Sequence, residues 1–274
     1  MLFTFHKGNI MERKEFDAIV ASVFEKYGKK CELSEKELDT FCKMTERLLS
    51  ENEKYNLTAV RTVEGVVEHH IFDSIQPASL IPEGARVLDV GSGGGFPSLP
   101  LATVRPDLHI TALDSTEKKV EYIRTTAELL GLDNVDTLYG RAEELSLPYP
   151  EDEKIKVKGK VIIKRAPDDF FTLRESFDVV IARSVASLDL LSELCVPFLK
   201  VGGKFIAMKS ENALHEAKEA ENALYLLGCV QKCEIIKPYA LAPEIDKIFM
   251  VTTKRSKTPA KYPRRYAQIK KKPL

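Results

Sequence analysis

The chain has 274 residues, 44% apolar and 30% charged, which fits one large globular domain plus an extension. No apolar run approaches the ~18 residues of a membrane span, and the first eleven residues, with His6, Lys7 and Asn9, lack the apolar core of a signal peptide. The net charge of zero hides an asymmetry, because residues 254–274 hold nine Lys or Arg and no acid. The five cysteines, Cys31, Cys42, Cys195, Cys229 and Cys233, are scattered and odd in number, which suits reduced thiols in the cytoplasm. Cys229 and Cys233 fit one helix face, but no second pair completes a zinc site.

Phe16, Ile19, Val20, Val23, Phe24 and Tyr27 recur at helical spacing and predict a helix within 11–30 that Gly28 stops. Ser34 with Glu37 forms a capping box, with Leu33 and Leu38 as the hydrophobic staple around it. That helix continues through Phe41, Leu48 and Leu49 to about Glu53. Residues 1–80 are thus expected as a helical extension, too small to fold well alone and packed on a main domain of 81–253. From about Ile81 strands and helices alternate. Strands are expected at 86–90, 108–113, 135–139, 177–182 and 203–208, with a pair near 229–237 and 247–253. Helices are expected at 97–104, 116–130, 186–199 and 212–227. This alternation predicts an α/β fold, a doubly wound and mostly parallel seven-stranded Rossmann-like sheet. Residues 146–176 break the rhythm with Pro148, Pro150 and a charge run, and read as an inserted loop or hairpin. Residues 254–274 read as a basic tail, either a phosphate-binding arm or a solvated terminus.

The stretch from Arg86 to Pro97 carries the most chemistry. Val87, Leu88 and Val90 form a buried strand that runs into Gly91, Gly93, Gly94 and Gly95, where the backbone is free to approach a ligand. Pro97 suits the first turn of the next helix. The following strand ends at Asp114, a carboxylate placed to accept from two ribose hydroxyls. A bare tight turn is the plain alternative for the glycines, but the acidic strand end argues for a nucleoside. Phe96 stands where a dinucleotide fingerprint has its third glycine. This favours a cofactor without a pyrophosphate, S-adenosyl-L-methionine, over NAD. Asp89, Gly91, Gly93 and Asp114 are the positions that this reading assigns to it.

Six motifs occur together in order: Asn56 to Val60, His70 to Ser74, Asp89 to Pro97, Leu113 to Ser115, Gly140 to Glu143, and Ile181 to Ala186. They closely resemble the bacterial RsmG family, also called GidB, over roughly Lys54 to Ser210, and Thr258 to Arg264 with the ending at Leu274 resembles it too. The resemblance implies a cytoplasmic methyltransferase that transfers the methyl of S-adenosylmethionine to guanine N7 of 16S ribosomal RNA. It carries the cofactor contacts onto Gly91, Phe96, Asp114, Ser115, Thr116, Ala142, Glu143 and Arg183. Arg141, Arg183 and Lys209 fall near the reaction centre. The implied partner is small-subunit ribosomal RNA or a ribonucleoprotein particle, bound by a monomer with no membrane involved. Two departures stand out: Ser98 replaces the family's usual glycine after the proline, and the segment after Leu145 is longer than usual.

Guanine N7 has an in-plane lone pair, so the reaction needs positioning and no general base. The chain fits, with no amide cradle, paired catalytic cysteine or Ser-His-Asp set in its sequence. The product is cationic, so Arg141 and Lys209 are better given to phosphates or a base oxygen than to N7. Plainer roles compete: a salt bridge for Arg183, a first-turn acid for Glu143 and core packing for Phe96. His69 and Asp73 lie four apart, yet with His70 they form too small a set to close a metal site, so no metal is expected. A methyltransferase of another substrate, small molecule or protein, and a non-catalytic nucleotide-binding protein are the alternatives.

Overall fold

A computed structural model describes residues 12–148, 172–183, 185–238 and 247–274, and the backbone of 153–157 and 160–164. The first helix, α1 (Arg13–Lys26), buries Phe16, Val20, Val23 and Phe24, and the chain turns away at Gly28, whose φ is +63°. Helix α2 (Glu35–Tyr55) starts on the expected capping box: the Glu37 N–H donates to Ser34 Oγ, and the Ser34 N–H donates to Glu37 Oε2 at 2.6 Å. It buries Phe41, Met44 and Leu48 and ends on Asn56 in left-handed geometry. Next come α3 (Val63–Val66), a π-helical stretch Val67–Phe72, α4 (Asp73–Ile75) and a 3-10 turn Gln76–Leu80.

The main domain begins with β1 (Arg86–Val90), α5 (Ser98–Val104), β2 (His109–Asp114), α6 (Glu117–Leu130), β3 (Val135–Tyr139) and α7 (Ala142–Leu145). Within 146–176 the backbone forms an antiparallel hairpin of β4 (Glu153–Val157) and β5 (Lys160–Lys164), in a sheet of its own. The rhythm resumes with β6 (Phe177–Arg183), α8 (Leu188–Cys195), β7 (Leu199–Lys209), α9 (Leu214–Glu219) and α10 (Glu221–Leu227). Strands β8 (Glu234–Ile236) and β9 (Ile248–Thr253) and helix α11 (Tyr266–Lys271) complete the chain.

The main sheet has seven strands in the order β3-β2-β1-β6-β7-β9-β8. β9 alone runs antiparallel to its neighbours; the other pairings are parallel. This is the expected doubly wound Rossmann-like sheet. Its strand order reverses between β1 and β6, so a crevice opens at their carboxyl ends. Along β1 the period-2 alternation sends Leu88 and Val90 into a core with α8 and α10, while Val87 joins a second core with α5 on the opposite face. The N-terminal helices pack on α5 and α6 through a third cluster containing Leu99, Tyr122 and Ile123. Arg47 of α2 also donates to the hydroxyls of Thr125 and Thr126 on α6.

The basic C-terminal stretch packs in part against the main domain. Lys254 is fully buried, and its ammonium donates to Glu175 and to the carbonyls of Val196 and Leu199. Arg174 binds the carbonyls of Thr258, Pro259 and Tyr262, and Arg264 binds the fully buried Glu193 of α8. Tyr262 and Ile269 enter the α8 core. Net charge along the sequence could not reveal this, because two of the cations are paired inward while their apolar neighbours carry the packing. The idea that Cys229 and Cys233 share a helix face also fails: Cys229 bridges to Lys254 and Cys233 precedes β8.

Candidate active site

The carboxyl ends of β1, β2, β3, β6 and β7 place Val90, Asp114, Tyr139, Arg183 and Lys209 along one edge of the sheet. After β1 the chain turns sharply. The N–H groups of Gly91 and Ser92 donate to the carbonyl of Leu113, and Gly91, Gly93 and Gly95 all have positive φ. A Cβ on Gly91 would lie 2.7 Å from Val185, and one on Gly95 would lie 2.5 Å from Leu99, so these two glycines serve packing. A Cβ on Gly93 would meet nothing nearer than the Gly91 carbonyl at 3.9 Å. Gly93 thus has open space beside it at a left-handed residue, although it is not itself part of the cavity wall described next.

Asp114 braces the turn. Its Oδ2 accepts from the Gly93 N–H at 3.0 Å and its Oδ1 from the Thr116 N–H at 2.8 Å, which leaves lone pairs for further donors. A cavity of about 200 Å³ lies against it. Its walls include Gly91, Asp114, Ser115, Arg141, Ala142 and Glu143, all expected from the sequence. Gly140, Val185, Ala186, Leu190, Leu194 and Tyr266 also line it, and sequence reasoning missed them. Val185, Ala186, Leu190 and Leu194 form its apolar wall, and only the fold brings them beside the strand ends. Tyr266 comes from α11, more than eighty residues beyond Arg183 in the chain.

Other expected cofactor positions lie elsewhere. Thr116 caps α6 with its backbone, and Phe96 is buried beneath His70, ring on ring at 4.7 Å. Asp89 is fully buried below the turn, where Ser98 donates to its Oδ2 through both N–H and hydroxyl, at 3.3 and 2.6 Å. The Ser98 hydroxyl thus adds a hydrogen bond to Asp89 that a glycine, keeping only the N–H, would lack. Burial pushes the Asp89 carboxyl up to about 6, against the pull of the Ser98 hydrogen bond. Asp89 Oδ1 and Ser92 Oγ are buried without a hydrogen-bond partner among the described residues. Polar atoms in surplus within a glycine turn, beside an acidic strand end, suit a nucleoside carrying a zwitterionic tail.

Arg183 lines a second cavity, of about 260 Å³, with Asp73, Met208, Lys209, Glu216, Lys247 and Phe249 among its walls. The expected direct cofactor contact of Arg183 is therefore not what this geometry displays. Its guanidinium donates to the His69 carbonyl at 2.8 Å, to Asp73 at 3.4 Å and to His70 Nδ1 at 3.2 Å, and it lies over the Phe96 ring. Lys209 is tied to Glu216 at 2.8 Å and to the Ala186 carbonyl, and Glu216 also accepts from the Leu188 N–H. Lys209 thus fixes the segment between the two cavities. Arg141 is exposed on the rim of the first cavity, 4.0 Å from Glu143.

The π-helical stretch explains the fate of the His69–Asp73 pair. Its wider turn points the His69 carbonyl, His70 and Asp73 together at Arg183, while the His69 side chain stays exposed. Among the described residues no three His, Cys, Asp or Glu side chains are grouped to hold a metal.

The sequence pattern of the GidB family, described as rRNA small subunit methyltransferase G, matches residues 37–235. The chain belongs to the GidB family. A protein of Streptococcus sanguinis called ribosomal RNA small subunit methyltransferase G is 39% identical over 246 residues, spanning 89% of this chain and 94% of that protein. A Streptococcus pneumoniae protein of the same name is 39% identical over 245 residues, 88% of this chain and 93% of its own. A solved methyltransferase of Aquifex aeolicus aligns at a TM-score of 0.47 and 18% identity, over 75% of this chain and 97% of its own. The fold assignment rests on the sheet topology. The chain is an S-adenosylmethionine-dependent methyltransferase, and the residues of the first cavity fit that cofactor.

Proposed function

We propose that this enzyme methylates N7 of a guanine in 16S ribosomal RNA, with the cofactor in the first cavity and the base in the second. One observation carries this reading: every titratable side chain at the second cavity is already committed. Asp73 is bonded to Arg183 and lies 3.8 Å from Lys247, and Glu216 holds Lys209 and the Leu188 amide; His70, outside the cavity lining but in contact with Arg183, has both ring nitrogens engaged too. A site of this kind is poor at removing a proton, as methylation of an exocyclic amine would require, but it suits an in-plane lone pair that attacks directly. Bound S-adenosylmethionine supplies an activated methyl on a sulfonium.

The protein's own part is placement. Asp114 and the Gly93 turn hold the nucleoside end, Glu143 and Ala142 border it, and Arg141 on the rim meets a phosphate. Arg183, fixed by its partners, presents its remaining donor capacity to the base oxygen, the acceptor edge that guanine offers beside N7. Orientation of this sort supplies up to about 7–11 kcal/mol of barrier reduction. The enzyme acts as a monomer in the cytoplasm on ribosomal RNA, naked or within a ribonucleoprotein particle. Its five unpaired cysteines suit a reducing compartment, and no described helix is long and apolar enough to cross a membrane.

The test is incubation with labelled S-adenosylmethionine and small-subunit RNA from cells lacking the modification, followed by mapping of the label. Label at a guanine that becomes labile to borohydride and aniline is expected. Label on an exocyclic amine or on another base defeats the reading.

A further inference from the structure

His70 is absorbed by no role described so far, and its surroundings are unusually specific. Its ring stacks on Phe96 with centroids 4.7 Å apart and planes within 20°. Nδ1 lies 3.2 Å from Arg183 Nη2, and Nε2 lies 2.7 Å from Thr58 Oγ1. A guanidinium can only donate, so Nδ1 must be the bare, accepting nitrogen. The proton of a neutral ring then sits on Nε2 and is donated to Thr58 Oγ1, which also accepts from the Val60 N–H at 3.1 Å. The tautomer is fixed from both sides.

We infer that His70 is a positioning residue: as a neutral imidazole protonated at Nε2, it uses Nδ1 to aim the Arg183 guanidinium into the base cavity. Burial and the adjacent Arg183 charge press its ionisation down to about 3, so the ring stays neutral at physiological pH. Arg183 also binds the His69 carbonyl and Asp73, but both use Nη1. Among the described residues His70 is the partner that restrains Nη2, and so sets the rotation of the planar group. Phe96, stacked on the His70 ring and facing the guanidinium, fills the remaining side. The Thr58 loop is held in turn by Asn52, whose side chain accepts from the N–H groups of Leu57 and Thr58. The N-terminal helices thereby orient a side chain of the methyltransferase sheet.

The inference rests on Arg183 acting on the substrate, and the two ideas separate experimentally. In His70→Asn the amide oxygen occupies the place of Nδ1 and keeps an acceptor for Arg183. In His70→Gln the amide reaches the place of Nε2, keeps the Thr58 interaction and leaves Nη2 unpartnered. Both variants, with His70→Ala and Arg183→Ala, are compared in kcat/KM on small-subunit RNA, with cofactor affinity and melting temperature measured alongside. His70→Gln and His70→Ala should lose roughly tenfold or more in kcat/KM at unchanged cofactor affinity, the scale of removing one charged hydrogen bond, while His70→Asn recovers most of it. Adding His70→Gln to Arg183→Ala should cost nothing further. Equal losses in His70→Asn and His70→Gln, or losses that multiply in the double variant, overturn the positioning role. Wild-type turnover in Arg183→Ala removes Arg183 from the substrate site and the inference with it. Nitrogen NMR of labelled histidine gives a readout independent of turnover: the Nε2-protonated tautomer is expected for His70, and the Nδ1-protonated form contradicts it.

Discussion

Gly93 and Asp114 hold each other in place through the Gly93 N–H to Asp114 Oδ2 hydrogen bond, and we propose that cofactor binding turns on this pair. In Gly93→Ala the new methyl meets no protein atom closer than 3.9 Å, so any steric effect falls on the ligand. The left-handed backbone adds a cost of about 1–2 kcal/mol in stability. We expect Gly93→Ala and Asp114→Ala each to weaken S-adenosylmethionine binding at least tenfold by calorimetry; affinity within twofold of wild type in Gly93→Ala would remove the turn from the cofactor site. Asp89 gives a pH prediction. Its carboxyl is raised from 3.8 to about 6 in the folded state, so the native protein holds that proton more tightly than the unfolded chain does. The stabilisation is complete below about pH 4 and is lost as pH rises through about 6. At about 1.4 kcal/mol per unit the difference amounts to roughly 3 kcal/mol. Asp89→Asn does not titrate, so its melting temperature relative to wild type should climb between pH 4 and 7. Parallel curves over that range would contradict the assignment.

At the scale of elements, α11 changes what the C-terminal stretch means. Arg264 donates its backbone N–H, Nε and Nη2 to the fully buried carboxylate of Glu193, and this clamp seats α11 so that Tyr266 lines the first cavity. Arg264→Ala strands a buried charge, and we expect a loss of about 3–5 kcal/mol in denaturant unfolding, with weaker cofactor binding as α11 loosens. Tyr266→Ala separates the two effects. It should leave unfolding nearly unchanged and raise the cofactor Kd about three- to tenfold, the worth of one aromatic contact. An unchanged Kd in Tyr266→Ala would make α11 a packing element alone.

Over the whole molecule, the basic residues of 254–274 divide into those turned inward and those facing solvent. Lys254 and Arg264 are taken up by Glu175 and Glu193, whereas Arg265, Lys270, Lys271 and Lys272 are exposed on or next to α11, whose first residue borders the first cavity. Replacing these four by Gln should lower the salt dependence of RNA binding by about 0.7–0.9 in log–log slope for each phosphate that is no longer neutralised, with cofactor affinity and melting temperature unchanged. A slope equal to wild type would show that RNA approaches from elsewhere, with Arg141 and the Arg183 cavity as the remaining electropositive route.

Much of this molecule is set by local pattern. The Ser34–Glu37 box depends on neighbours within a few residues, and the glycines after β1 and the carboxylate at the end of β2 stand out by spacing alone, although the turn itself is closed by Leu113 and Asp114 of the next strand. The alternation of strands and helices likewise determines a parallel sheet, because its strands need cover on both faces. The second half of the site depends on contacts between distant parts of the chain. Arg183 meets His69, His70 and Asp73 across more than a hundred residues, through a π-helical turn that leaves no periodic trace in the sequence. Tyr266 lines the first cavity beside the Arg264–Glu193 clamp, and a charge run reads as solvated until its buried partner is known. Local pattern therefore determines that a nucleoside cofactor is held; tertiary packing decides what faces it, because side chains from separate elements share a cavity only once the sheet has assembled.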